Sequence, residues 1–196
     1  FPLDALQRIQ QAGLIGFLAP RFHGLPTNRS QDTTTSRDAP MLLQRLREDR
    51  VDVVLLVPNC PVCHQCCALA ACHLEAAGIA TVVMGCARDI VEHVGVPRLL
   101  FSDFPLGNGA GKPGDPDSQD ETLRQALQLL TTASGPRTTR VSPIRWSEDE
   151  GWKSDFYNVD RLSEEEVARL RADFDRQKRV ARERRRAEGV ASHASN

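Results

Sequence analysis

The sequence predicts an α/β protein in which helices cover both faces of a mostly parallel sheet. Short apolar runs rich in β-branched residues recur along the chain, and helical patterns separate them. Such alternation is typical of parallel strands joined by right-handed helical crossovers. Hydrophobic residues make up 40% of the chain and charged residues 26%, which is an ordinary globular composition. We therefore expect a doubly wound sheet of the flavodoxin or Rossmann kind, followed by a charged C-terminal helix.

Four apolar runs are the predicted strands. Leu14–Ala19 is the first, and Val53–Val57 is a continuous apolar run rich in valine. A run of this kind is typical of a parallel strand that is buried on both faces. Ile79–Met84 and Arg98–Phe101 are the remaining two strands.

The predicted helices carry an apolar face or a termination signal. Ser36 can cap the second helix, because a serine hydroxyl accepts hydrogen bonds from first-turn N–H groups. The polar loop over residues 21–36 is expected to be either mobile or a lid over a site. The five predicted helices are Leu3–Ala12, Arg37–Asp49, Ala68–Ala77, Asp89–Val94 and Gln119–Thr132.

The C-terminal part differs in composition from the part before it. We expect an α/β redox domain over residues 1–135 and an irregular strap over 136–160, which holds both tryptophans and the single tyrosine. A capping box formed by Ser163 and Glu166 predicts a charged helix over 161–188, and residues 189–196 are expected to be disordered. The arginine-rich end of this helix could be a nucleic-acid patch, but we expect it to be a solvated or partner-docking surface.

Charge and cysteine usage limit the class of protein. The formal net charge is −1, so bulk charge gives no reason to expect binding to nucleic acid or membranes. Five of the six cysteines fall between Cys60 and Cys72, which favours a reducing, cytoplasmic compartment over a secreted disulfide framework. The chain begins with Phe1 and not with methionine, so we expect it to be the C-terminal part of a longer protein.

Cys60 and Cys63 follow the strand Val53–Val57 at a predicted strand-to-helix turn. First-turn N–H groups and the positive end of a helix stabilise a thiolate, which is the reactive form of cysteine. A Cys-x-x-Cys pair can also close a disulfide across one helical turn, with one thiolate attacking and the second thiol resolving. We therefore expect redox or nucleophilic chemistry, with Cys60 as the more acidic thiol.

Three other kinds of site are compatible with these cysteines. Cys-x-x-Cys-His is also the signature of c-type haem attachment. Cys60, Cys63 and Cys66 have the spacing of an iron–sulfur site, and zinc could bind the first two with a distant pair of ligands. An iron–sulfur or zinc electron-transfer module without substrate turnover is therefore the alternative function. Cys66, Cys67 and Cys72 are also explained as small apolar packing residues.

Polar residues follow the other predicted strands. The carboxyl ends of parallel strands share one edge of a sheet, and ligands bind outside it. His23 follows the first strand, Arg88 the third and Asp103 the fourth. We therefore expect these side chains to lie near Cys60 at that edge.

A glycine-rich loop, Gly107–Gly114, follows the last predicted strand. Its Lys112 precedes Pro113, where a nucleotide-binding P-loop needs serine or threonine, so a nucleotide site is not predicted. Glycines such as Gly107 let a small substrate approach the backbone, and Lys112 can pair with a carboxylate. A plain turn is an equally good interpretation of this loop.

Four segments of the chain together carry a resemblance to a known family: Phe1-Pro-Leu-Asp-Ala-Leu6, Val53-Val-Leu-Leu-Val-Pro-Asn-Cys-Pro-Val-Cys63, His73-Leu-Glu-Ala-Ala-Gly-Ile-Ala-Thr81 and Pro97-Arg-Leu-Leu-Phe-Ser-Asp-Phe-Pro-Leu-Gly-Asn108. With these segments the chain resembles the glycine/sarcosine/betaine reductase selenoprotein B family, in particular its D-proline reductase-like branch. The resemblance covers residues 1–130, and members usually have an additional N-terminal half.

The resemblance implies reductive cleavage of the C–N bond of an amino acid or a related amine. It implies that Cys60 stands at the position that is often selenocysteine and attacks the α-carbon, that Cys63 resolves, and that Cys66 is an auxiliary thiol. It also implies that a pyruvoyl group on a partner subunit activates the amine as a Schiff base, and that a thiol reductant protein is a second partner. No cofactor is therefore expected on this chain.

A small amino-acid or amine substrate of such a reaction must be held while its α-carbon meets the sulfur. We expect Arg88, Lys112, Asp103 and Gly107 to bind the substrate and His23 to protonate the departing amine, with Asp103 as the alternative proton donor. A third hypothesis is an inactive relative that only docks a partner through the helix over 163–188.

Overall fold

The first of two compact units, Phe1–Glu148, contains a sheet of four parallel strands in the order β1-β2-β3-β4. This computed structural model describes residues 2–155 and 162–193. The doubly wound α/β fold expected from the sequence is confirmed. The strands are β1 (Val53–Leu56), β2 (Ala80–Gly85), β3 (Arg98–Phe101) and β4 (Thr138–Val141).

Helices cover both faces of this sheet. On one face, α4 and α5 pack on Val83 and Leu99, and on the other, α1 and α6 pack on Met84 and Leu100. Each strand is added to the same edge of the growing sheet, but α6 lies on the face opposite to α4 and α5. The crossover from β3 to β4 through α6 therefore has the opposite hand to the crossovers through α4 and α5. This arrangement departs from the uniformly right-handed crossovers that were expected. The helices of this unit are α1 (Leu3–Gln11), α2 (Gln31–Thr33), α3 (Ala39–Glu48), α4 (Pro61–Ala76), α5 (Arg88–Val94) and α6 (Pro116–Thr132).

The segment Leu14–Ala19 was expected to be a strand, and that prediction is wrong. It is irregular, and Phe17 is 72% exposed while Ile15 and Leu18 pack on the core. These two partly buried side chains are three residues apart, and a strand places side chains on one face at a spacing of two. The segment therefore covers the core without joining the sheet.

The strand β4 was not predicted, and it extends the core beyond residue 135. It lies within the expected strap over 136–160, of which residues 156–160 lie outside the described residues. Trp146 of this segment packs on the core, with its ring centroid 5.4 Å from that of Phe104. The strap is therefore partly a regular strand.

A single π-helical turn, Thr34–Asp38, joins α2 to α3. In this turn the Ala39 N–H donates to the Thr34 carbonyl five residues earlier. Pro40 has no N–H to donate to Ser36, and the wider turn accommodates this loss. The helical segment begins with Ser30 as its cap, whose hydroxyl accepts from the Thr33 N–H, so the expected cap at Ser36 is wrong.

The second unit, Asp149–Asn196, contains α7 (Gly151–Asp155) and α8 (Glu164–His193). The predicted capping box is present, because the Ser163 hydroxyl accepts from the Glu166 N–H at 3.2 Å and the Glu166 carboxylate accepts from the Ser163 N–H at 3.0 Å. Helix α8 continues to His193, past the expected end at 188, and residues 194–196 lie outside the described residues. The side chains of residues 184–186, most of the arginine cluster, also lie outside them. Among the described residues, no helix is both long and apolar enough to cross a membrane.

Candidate dithiol site

Cys60 caps the N-terminus of α4. Its backbone is extended, with φ −123° and ψ 168°, and its sulfur accepts a hydrogen bond from the Cys63 N–H at 3.2 Å. Pro61 occupies the first helical position, where a missing N–H costs nothing and the fixed φ favours the helix. The helix therefore begins at Pro61, seven residues before the predicted start at Ala68, and the dithiol lies on its first turn.

The two thiols of this site are in direct contact. The sulfur atoms of Cys60 and Cys63 lie 2.7 Å apart, and both side chains are half-buried. The hydroxyl of Thr27 lies 3.4 Å from the Cys63 sulfur, on its other side. A thiolate at Cys63 can thus accept hydrogen bonds from two neighbouring side chains.

The surroundings of the two thiols shift their pKa values in opposite directions. Burial, together with the hydrogen bond to the Cys63 sulfur, raises the pKa of Cys60. Burial also acts against ionisation of Cys63, but hydrogen bonds from the Cys60 thiol, the Thr27 hydroxyl and nearby backbone N–H groups outweigh it and lower the pKa of Cys63. These surroundings favour Cys63 as the more acidic thiol, against the expectation that Cys60 is. Sequence spacing could not reveal the donor at Thr27.

His64 connects the dithiol turn to the turn that follows β2. Its side chain is completely buried, and its Nδ1 lies 2.8 Å from the Cys60 carbonyl oxygen. Its Nε2 accepts from the N–H groups of Cys86 at 3.0 Å and Ala87 at 3.2 Å. Nε2 is therefore unprotonated and Nδ1 carries the proton. Burial lowers the pKa of His64, and neither ring nitrogen is left for an axial bond to haem iron.

The remaining cysteines of α4 do not join the pair. Cys66 is buried and contacts the Asn28 carbonyl at 3.3 Å and the Thr34 hydroxyl at 3.7 Å. Burial raises the pKa of Cys67 to about 12. Within residues 2–155 and 162–193, no group of three His, Cys, Asp or Glu side chains could hold a metal ion. Cys66 therefore packs beneath the segment that carries Thr27.

The loop after β3 crosses the carboxyl edge of the sheet beside the dithiol turn. A Cβ added at Gly107 would lie 3.7 Å from the Asn59 carbonyl oxygen, so this glycine is adjacent to the turn. Gly109 lies so close to the Met84 carbonyl oxygen that a Cβ has no room. Burial raises the pKa of Cys86, which lies beneath this loop, to about 11. The segments that follow β1, β2 and β3 thus lie against one another at this edge.

The predicted substrate-binding side chains are placed as follows. Arg88 begins α5, directly after the turn held by His64, and its Nε donates to the Glu92 carboxylate at 2.8 Å. Lys112 lies before α6, and no ion pair to its ammonium group is present among the described residues. Asp103 is exposed and close enough to Cys86 for its charge to raise the pKa of that thiol.

His23 pairs with an acidic side chain at the end of α3. Its Nε2 lies 3.1 Å from the Asp49 carboxylate, which also binds Arg21. Asp49 follows the C-terminus of α3, whereas Thr34, which contacts Cys66, lies near the start of the same helical segment. The described partner of His23 therefore lies at the other end of this helical segment from the contact with Cys66, and its expected role in proton transfer stays a prediction.

A contacting pair of thiols on the first turn of a helix, at the carboxyl edge of a parallel sheet, defines a candidate dithiol redox site. No family model and no solved structure matches the chain. It is similar to the D-proline reductase subunit gamma of Acetoanaerobium sticklandii, with 27% identity over 145 residues, 74% of this chain and 59% of that protein. The chain therefore spans less than two thirds of this relative. The alignment supports the D-proline reductase branch of the resemblance.

Proposed function

We propose that this chain is the dithiol-bearing subunit of a reductase that cleaves the C–N bond of an amino acid or a related amine. The observation that carries the proposal is the direct contact of Cys60 and Cys63 on the first turn of α4. The similarity to a D-proline reductase subunit supports it, and D-proline is the first substrate to test.

The proposed reaction needs two electrons and two protons: the dithiol, with Cys63 as the thiolate, supplies both electrons and one proton, and water supplies the second proton. The Cys60 sulfur bonds to the α-carbon while the C–N bond breaks, and the amine leaves with one proton. The Cys63 sulfur then attacks the Cys60 sulfur, an S–S bond forms, and the carbon leaves with the second proton. A dithiol protein reduces the disulfide again. The lowered pKa of Cys63 favours its thiolate, which can take the proton of the adjacent Cys60 thiol as the Cys60 sulfur attacks and pass that proton to the leaving amine.

The other groups that the proposed reaction needs are divided between a partner subunit and this chain. The pyruvoyl group implied by the resemblance lies on a partner subunit and would supply electron withdrawal from the amine nitrogen. Cys60 and Cys63 are half-buried and not enclosed, which fits access by a group carried on another chain. On this chain, Arg88 and Lys112 are the cations proposed to hold the substrate carboxylate.

The decisive experiment combines the full-length protein with its partner subunit and screens amino acids, including D-proline, for dithiol-dependent cleavage. Cys60→Ser and Cys63→Ser are each expected to abolish turnover while the thermal midpoint stays near that of the wild type. Cys72→Ser is the matched control, because its sulfur donates to the Gly95 carbonyl at 3.9 Å and makes no described hydrogen bond to the dithiol. Wild-type turnover by Cys60→Ser would show that the nucleophile is misassigned.

A further inference from the structure

His64 makes contacts that bind two separate turns of the carboxyl edge. The Cys60 carbonyl accepts from both the His64 backbone N–H at 2.9 Å and the His64 Nδ1–H at 2.8 Å. On the opposite side of the ring, Nε2 accepts from the backbone of Cys86 and Ala87. One buried imidazole therefore fixes the separation of the dithiol turn from the turn that precedes Arg88.

The surroundings of the ring leave it no alternative position. A Cβ added at Gly85 would lie 3.0 Å from His64 Cδ2 and 3.2 Å from Nε2, so the absence of a side chain at Gly85 makes room for the ring. Protonation of Nε2 would place an N–H group against two other N–H groups. The ring is therefore held neutral, with one nitrogen donating and the other accepting.

We propose that His64 is a positioning residue that holds the Cys60 sulfur in hydrogen-bonding contact with the Cys63 sulfur and sets the distance from the dithiol to the substrate-binding turn. The two donors on the Cys60 carbonyl fix the backbone from which the sulfur accepts the Cys63 N–H and contacts the Cys63 sulfur. The second part of this role rests on the proposed function, because it concerns Arg88. The first part concerns only the thiols and stands without it.

Three substitutions of His64 test the hydrogen bonds of its two ring nitrogens separately. The amide nitrogen of His64→Asn can replace Nδ1 and donate to the Cys60 carbonyl, but no atom replaces Nε2. The amide oxygen of His64→Gln can reach the place of Nε2 and accept from Cys86 and Ala87, but the donor to Cys60 is lost. His64→Leu removes both halves. His93→Asn and His93→Gln on the exposed side of α5 are the matched controls.

The first measurement is the pH dependence of alkylation at Cys60 and Cys63 in the folded protein. His64→Gln and His64→Leu are expected to slow the reaction at neutral pH about tenfold, which corresponds to one pKa unit. His64→Asn is expected to stay within about twofold of the wild type. If His64 only fills the core, all three variants lower the thermal midpoint while the thiol titration of the folded protein is unchanged, and that result would overturn the proposal.

The second measurement is the KM of the reconstituted enzyme. His64→Asn is expected to raise KM with little change in kcat, because the thiols are retained and the turn before Arg88 is released. If no amino acid is turned over even by the wild type, the proposed function fails, while the thiol titration still decides the first part.

Should the His64 variants not fold, Gly85→Ala keeps the histidine and displaces its ring, and it is expected to shift the thiol titration in the same direction. An unchanged titration in Gly85→Ala would also overturn the proposal.

Discussion

Thr27 and Cys63 are 36 positions apart in the sequence, yet the Thr27 hydroxyl oxygen lies 3.4 Å from the Cys63 sulfur. Thr27 belongs to a polar segment without regular structure, and this contact makes that segment part of the dithiol site. It is also one of the hydrogen bonds that lower the pKa of Cys63.

Replacing this hydroxyl tests the contact directly. Thr27→Val keeps the shape of the side chain but removes the donor, so the pKa of Cys63 is expected to rise. The loss of one hydrogen bond worth about 1 kcal/mol would slow alkylation of Cys63 at neutral pH about fivefold. Thr35→Val is the control, because Thr35 is exposed and its hydroxyl donates only to carbonyls of its own helical segment. Equal rates in the two variants would count against the contact.

Alkylation mapped to individual cysteines tests the order of acidity in the pair. Cys63 is expected to react at lower pH than Cys60, while Cys67 and Cys86, with pKa values of about 12 and about 11, stay unreactive in the folded protein. Cys60→Ala removes a donor to the Cys63 sulfur and is expected to raise the pKa of Cys63. Earlier reaction at Cys60 would contradict this assignment.

The neutral state of His64 predicts a loss of stability in mild acid. Burial lowers the pKa of His64 below its ordinary value of 6.5, so the unfolded chain takes up a proton first as the pH falls. The stabilisation is complete above pH 6.5 and is lost as the pH falls through the lowered value of the folded state. Urea unfolding at a series of pH values is expected to show a shallower decline in His64→Asn than in the wild type. His93→Gln should keep the wild-type slope.

The close approach of Gly109 to the Met84 carbonyl predicts a strong effect of a single methyl group. Gly109→Ala is expected to lower the free energy of unfolding by about 1–3 kcal/mol and to move the loop beside Cys86. Gly135→Ala is the control, because nothing lies within 4 Å of a Cβ added at that position. Similar unfolding curves for the two variants would mean that the loop does not pack on β2.

The proposed carboxylate contacts predict effects on substrate binding. Lys112→Ala or Arg88→Ala is expected to raise KM about tenfold, which is the usual range for a hydrogen bond to a charged group. Arg124→Ala is the control, because Arg124 lies in the middle of α6 and outside the carboxyl edge. An unchanged KM in both test variants would move the carboxylate site elsewhere.

The strands with strong apolar patterns could be predicted from the sequence. β3 has the predicted bounds, and β2 is shifted by one residue. β4 could not be found this way, because Thr138–Val141 holds two threonines and an arginine and no apolar run. It is a strand because its backbone pairs with β3, which is a tertiary effect.

The part of the candidate site that depends on residues close together in the sequence could be predicted. The part that depends on contacts between distant segments could not. A separation of three residues brought Cys60 and Cys63 together in both the prediction and the structure. The placement of His23 depended on a strand at Leu14–Ala19, and with that strand absent the histidine binds Asp49 instead. Thr27 has no signal in the sequence beyond its place in a long polar loop.

Because of the π-helical turn Thr34–Asp38, a change in the number of residues in this segment is expected to disturb the fold more than a change in their side chains. This turn contains one residue more than a regular α-helix would need, and the extra residue sets the rotation of Asn28 and Thr34 relative to α3. Deleting one residue would turn this end of the segment by about 100°, and Pro40 would then lie in a regular helix that it cannot complete. Homologous chains are thus expected to vary in the side chains of this turn more freely than in their number.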